Sequence, residues 1–249
     1  MDLLQKMFAR KPGPSERQIR RAIKQVTETH GDAAVRVSAM ERLANWKTPE
    51  ASSALLRRFT IQVPQATMDL EEKQYAVRLL VQVGRTALQP ILQYLRTEPD
   101  VTWPIGSLRE ILPMDEFCPA LKDLLEHMAT LYTRWPEAKK AVLENVPDKA
   151  FPMMRDTVLR YVEDEDDDVC IAAIDYLARN GDEQMRENLI QTYLSAEVRP
   201  RVRGRILDLF CELDWPVKGY RKKIEETIKE PYYLTSKGTV KRRVEREPF

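Results

Sequence analysis

Residues 166–177 read DDDVCIAAIDYL and residues 32–43 read DAAVRVSAMERL. Laid over one another, each begins with Asp and has a small residue seven places on, Ala173 or Ala39. An apolar residue follows directly (Ile174, Met40), and a Leu stands four places beyond the small one (Leu177, Leu43). Spacings of one and four fall on one stripe of an α-helix. An Asp ahead of such a stripe is a preferred N-cap, because its carboxylate accepts hydrogen bonds from otherwise unpaired first-turn amides. The two stretches predict the same helix, with the same start and the same buried face.

The register recurs along the chain. Ala76-Val77, Ser107-Leu108, Ala141-Val142 and Ile206-Leu207 join the first two anchors, at successive gaps of 37, 31, 34, 32 and 33 residues. Four places beyond these further anchors stand Leu80, Ile111, Asn145 and Phe210, with Asn145 the one polar exception. Seven places before them stand Asp69, Asp100, Arg134 and Arg199, so Asp fills four of six cap positions. Asp69 has Glu72 three residues on, the spacing of a capping box. Pro104 and Pro136 fall in first turns, where a missing N–H costs least. Gly84 and Gly181 follow the stripe as helix-ending residues do.

Between these helices lies a second apolar stretch, three times carrying a proline: Pro90-Ile-Leu92, Pro119-Ala-Leu121 and Pro152-Met-Met154. Proline within the first turns of a helix marks its effective start or bends it. The unit is therefore helix, turn, Asp-capped helix. With its internal proline, recurring Asp, Ala anchor and the Val-Arg of Val35-Arg36 and Val202-Arg203, it resembles a HEAT repeat, over residues 15–230.

That resemblance implies an all-α, right-handed α-solenoid of about six helix pairs. Second helices would line its concave side, and the role implied is that of a non-catalytic scaffold binding another protein. On that reading Arg36, Lys73, Arg78, Arg109 and Arg203 of the second helices are the candidate contacts. The chain is similar in this to single-domain bacterial HEAT-like proteins. HEAT-like folds also include DNA-base glycosylases and bilin lyase subunits, which makes an enzyme or enzyme subunit a third reading by family analogy alone.

Composition agrees with a helical array. Hydrophobic residues make up 43% of the 249, enough for a core, while only eight glycines and scattered β-branched residues disfavour a sheet fold. Net charge is +1, but residues 1–26 carry seven Lys/Arg against two Asp/Glu, and residues 197–249 carry fourteen against nine. The ends are basic and the middle acidic. Cys118, Cys170 and Cys211 are odd in number and far apart, as expected of reduced thiols in a cytoplasmic protein. No apolar run approaches a membrane span, and the N-terminus lacks the apolar core of a secretory signal.

Three motifs invite chemistry. The run Glu163–Asp168 places Asp164, Asp166, Asp168 and Asp175 at calcium-loop spacing, but Val169 stands where that loop needs Gly. Asp166 as cap, with Asp167 and Asp168 against the helix dipole, is the simpler account. His30 and His127 belong to no ligand cluster, and no nucleophile or phosphate-loop motif is present, so neither metal, cofactor nor catalytic residue is expected. Arg199, Arg201, Arg205, Arg221, Lys222, Lys241, Arg242 and Arg243 form a basic patch whose alternative reading is a nucleic-acid surface. Five acids from Glu212 to Glu230 interrupt it and favour a solvated cap.

Trp103, Trp135 and Trp215 each precede a proline and suit wedges between repeats. Residues 1–14 read as a short amphipathic segment, with Leu3, Leu4, Met7 and Phe8, followed by a linker. Residues 231–249 read as a basic tail in which Ser236-Lys237-Gly238 turns a hairpin over the last repeat.

Overall fold

A computed structural model of the chain describes residues 13–130, 135–181, 183–195 and 199–243. It is mostly helical, with one two-stranded sheet among the described residues. Contacts divide it into two units, residues 1–120 and 121–249.

In the first unit, α1 (Glu16–Val26), α2 (Ala33–Trp46), α3 (Pro49–Leu56), α4 (Ala66–Val83), α5 (Leu88–Thr97) and α6 (Thr102–Ile111) succeed one another. The helix α7 (Met114–Thr130) carries the division between the units. α1, α3 and α5 pack in sequence, as do α2, α4 and α6, and neighbours in the chain join the two rows. Each helix thus buries its stripe against the next pair as well as its own partner. The anchors lie at this seam: Ala39, Ala76 and Ser107 are fully buried, with Met40, Leu43, Leu80 and Leu108 around them.

The caps explain where helices begin. Ser15 and Gln18 form a capping box on α1, Asp32 accepts from Ala34 N on α2, and Thr48 accepts from Ala51 N ahead of Pro49 on α3. Two expected caps are not caps. α4 begins three residues before Asp69, with Gln65 at the cap, and both Asp69 and Glu72 turn inward. α6 is preceded by Val101 rather than Asp100, with no side-chain cap. Gly84 ends α4 at φ +73°, a conformation open to glycine and costly for other residues. Gly181, by contrast, is extended at φ −82° and serves no left-handed cap.

The second unit contains α8 (Pro136–Glu144), α9 (Phe151–Leu159), α10 (Asp167–Asn180), α11 (Glu183–Leu194), α12 (Pro200–Glu212) and α13 (Arg221–Thr227). α8, α10 and α12 pack in sequence, α11 packs on α13, and α9, α11 and their neighbours join the rows. Asn145 does not interrupt the stripe. It is the C-cap of α8, its side-chain amide donating to Ala141 O at 2.8 Å. Arg134 lies outside the described residues.

β1 (Tyr232–Leu234) and β2 (Val240–Arg242) pair antiparallel, Tyr233 opposite Lys241, around a turn in which Gly238 has φ +79°. β2 packs on α12 and β1 on α13. Val240 is fully buried with Val217, Ile224 and Phe210, so the hairpin covers the open core of the last helix pair. Trp215 meets Phe210 edge-on at 5.7 Å. No described helix is long and apolar enough to cross a membrane.

The inward turn of Asp69 has a consequence for pH. Burial disfavours the Asp69 carboxylate, but hydrogen bonds from Arg58, Lys73 and the Val63 amide outweigh it and hold its pKa below the usual value. A carboxyl that titrates lower when folded stabilises fully above its unfolded pKa and progressively less as pH falls through the folded one. The urea midpoint should therefore fall between about pH 5 and about pH 2. Asp69→Asn should lower the midpoint at neutral pH and flatten that fall. An unchanged acid limb in the variant would contradict this role.

Candidate functional site

The expected contact row on the second helices is largely consumed within the fold. Arg36 is 1% exposed. Its Nε and Nη2 donate to Glu72 at 2.8 to 3.1 Å, and its Nη1 donates to Glu28 O at 3.1 Å and Gly31 O at 2.6 Å. Arg58, fully buried in the 3-10 turn after α3, donates to Glu72 Oε2 at 2.9 Å and Asp69 Oδ1 at 2.8 Å. Lys73 pairs with the other oxygen of Asp69 at 2.9 Å. Arg36 and Lys73 thus belong to one network, Arg36 within it fully buried and Lys73 at its partly exposed edge.

Arg203 repeats part of this pattern in the second unit. It stands three places before its anchor, as Arg36 and Lys73 do before theirs. Its Nη2 donates to Ser195 O, eight residues upstream, just as Arg36 donates to Glu28 O eight residues upstream. Both arginines tie their helix to the end of the helix before it. Arg78 and Arg109 remain exposed, Arg78 lying 5.3 Å over the Tyr75 ring. The sequence reading missed Arg58 and Glu72. Glu72 occupies the slot that Val169 and Val202 fill, both buried, in two other second helices, but Val35 and Glu137 hold the same slot exposed, so the position alone gives no signal of an internal counter-charge.

The basic patch is also neutralised. Arg205 pairs with Asp175 and Glu212, Arg221 with Glu225, Lys241 with Asp214, Arg242 with Asp208 and Arg243 with Glu230. Arg201 pairs with Asp168. Lys222 is exposed.

Arg199 engages the acidic run itself. Its Nε meets Asp167 Oδ1 at 2.6 Å, its Nη2 donates to Asp164 O at 2.7 Å, and its Nη1 donates to Glu165 O. Asp166 caps α10, accepting from Asp168 N at 2.9 Å and Val169 N at 3.1 Å. Asp164 accepts from Lys139 Nζ at 2.5 Å, both side chains about nine-tenths buried. The carboxylates of Asp164, Asp166, Asp167 and Asp168 thereby meet a cation or a helix end, and no group of three metal-ligating side chains occurs among the described residues.

Beside this run lies a groove of about 650 Å3. Leu159, Val162 and Val202 supply its apolar surface, and Glu163, Asp164 and Glu165, with Arg199 paired to Asp167 among them, one polar edge. The other edge is one face of α11 and its end, where Asn188, Gln191, Thr192 and Ser195 follow at helical spacing. The carboxylates at Glu163 and Glu165 belong to exposed residues. Cys170 is the thiol among the lining residues. Burial pushes its thiol up to about 11, Arg199 notwithstanding, and its Sγ lies 2.9 Å from Asp164 O. A thiol so held stays protonated at neutral pH and acts as a donor to the loop, not a nucleophile.

Comparison with protein-family models, curated protein sequences and solved structures found no match.

Since Asp166 caps α10, Asp166→Ala should lower stability by about 1 kcal/mol in chemical denaturation. Added calcium should leave the midpoint where it was. A rise with calcium that vanishes in the variant would show an ion site instead.

Proposed function

We propose that this chain is a non-catalytic binding protein whose second-unit groove holds a basic, partly apolar segment of a partner protein. The groove carries the reading. Exposed carboxylates at Glu163 and Glu165 flank an apolar surface, while amide and hydroxyl side chains on α11 line the far edge. Lysine or arginine side chains suit such a lining, because their stems cover apolar surface while their charged ends meet carboxylates. The partner's charge is thus opposite to that implied by the basic contact row, of which the fold employs Arg36, Lys73 and Arg203 internally.

Within this reading the architecture is a HEAT-like α-solenoid, supported by the stacking of alternate helices inside each unit. Three free cysteines suit a reducing, cytoplasmic setting. The nucleic-acid alternative has less support, since seven of the eight basic-patch residues meet carboxylates.

A fluorescent peptide alternating Lys with Leu serves as the probe. It should bind saturably, more weakly as salt rises, and about tenfold more weakly to Glu163→Lys/Glu165→Lys. The melting temperature of that variant should stay close to the parent's. Equal affinity for a Glu-Leu peptide, or unchanged affinity in the variant, would contradict the proposal.

A further inference from the structure

The first helix pair holds a separate cavity of about 330 Å3, lined by Gln18, Arg21, Ala22 and Gln25 of α1 and by Arg42 and Trp46 of α2. Its volume lies at the small end of the range for small-molecule sites. The residues of α1 fall at helical spacing on one face, and Arg42 and Trp46 are one turn apart on α2. Two polar stripes therefore converge over the buried Ala22.

What those stripes offer is hydrogen-bond donors. Arg42 Nη2 donates to Gln25 Oε1 at 2.5 Å and its Nη1 to Ser38 Oγ at 3.2 Å. The Gln25 oxygen is therefore engaged, and its amide nitrogen is the end left to act. Gln18 Oε1 accepts from both Ser15 N and Ser15 Oγ at 2.8 Å, which leaves its nitrogen as well. These donors fix the orientation of each amide. Trp46 contributes an indole N–H, which can only donate.

The charges are equally one-sided. Among the described residues, neither Arg21 nor Arg42 has a carboxylate partner, although most arginines of this chain do. The one acid of α1, Glu16, is taken by Arg20 at 2.5 Å. Two uncompensated guanidiniums, two amide nitrogens and an indole thus meet at one cleft. A cation would be repelled there and an anion attracted.

We propose that this cleft binds the phosphate of a small ligand, Arg21 and Arg42 clamping its oxygens and the Trp46 ring lying beside the rest of the molecule. Phosphate presents acceptors in several directions, which suits donors arriving from two helices, and the guanidinium fork matches its oxygens in pairs. The indole face suits a planar ring attached to that phosphate.

Calorimetric titration of the full chain at low ionic strength tests this, with adenosine monophosphate, inorganic phosphate, acetate and adenosine as probes. Both phosphate compounds should bind at one site, the monophosphate more tightly, while acetate and adenosine show no saturable heat. Arg21→Gln/Arg42→Gln should weaken binding at least about tenfold. Both side chains are exposed and outside any ion pair, so its melting temperature should stay unchanged. Arg17→Gln, on the same helix but off the cavity, should bind as the parent does. Trp46→Leu should erase the advantage of the monophosphate over inorganic phosphate. Absence of phosphate binding, equal binding of acetate, or undiminished binding by the double variant would overturn the proposal.

Discussion

Glu72 sits in the interior of the first unit with a guanidinium on either side, Arg36 on one and Arg58 on the other. Removing three such charges from water costs several kcal/mol each, and attraction offsets that only when geometry is good and the remaining donors are satisfied. Here they largely are. Arg36 spends its other N–H groups on Glu28 O, Gly31 O and the Met68 sulfur, while Arg58 reaches Ile61 O and Asp69. One carboxylate thereby fixes the turn before α2, the turn after α3 and the first turns of α4 relative to each other. The start of α4 at Ala66 follows from the same constraint: Asp69 must point inward to complete the network, and so cannot cap.

The second unit meets a similar junction with weaker means. A cation, Lys139, is buried against Asp164, and Arg199 gathers the loop carbonyls and Asp167. These contacts hold the acidic loop but do not fill the space next to it, and the groove remains. Glu163 and Glu165 are exposed at that opening. Electrostatics thus closes one junction and leaves a groove at the other.

The helical fold was legible because its signals are local. Asp32 and Asp166 cap where their spacing to the Ala anchors says they should, and the anchors are buried. The hairpin turn could be read from Gly238 and the change to β-branched residues. What escaped was long-range pairing. Asp69 and Glu72 have the spacing of a capping box, and only the burial of Arg36 and Arg58, 33 and 11 residues from Asp69, turns them into counter-charges. Arg36 and Arg203 read as surface arginines for the same reason: the carbonyls they tie lie eight residues back, beyond any helical spacing. The two cavities could not be read at all, since each depends on side chains from separate helices.

The network around Glu72 is tested most directly by a double-mutant cycle, Arg58→Met against Glu72→Met, read by hydrogen exchange of the α2 and α4 amides. Exchange reports local stability without requiring the two units to unfold together. Glu72→Met strips Arg36 of its carboxylate and should cost about 3–5 kcal/mol of protection, while Arg58→Met leaves Glu72 with Arg36 and Asp69 with Lys73 and should cost about 1–3 kcal/mol. The double change removes both charges of the pair and should cost at least about 1 kcal/mol less than the sum. Losses that add to within about 0.5 kcal/mol would mean that Arg58 and Glu72 act independently and that the first unit is held by its apolar seam alone.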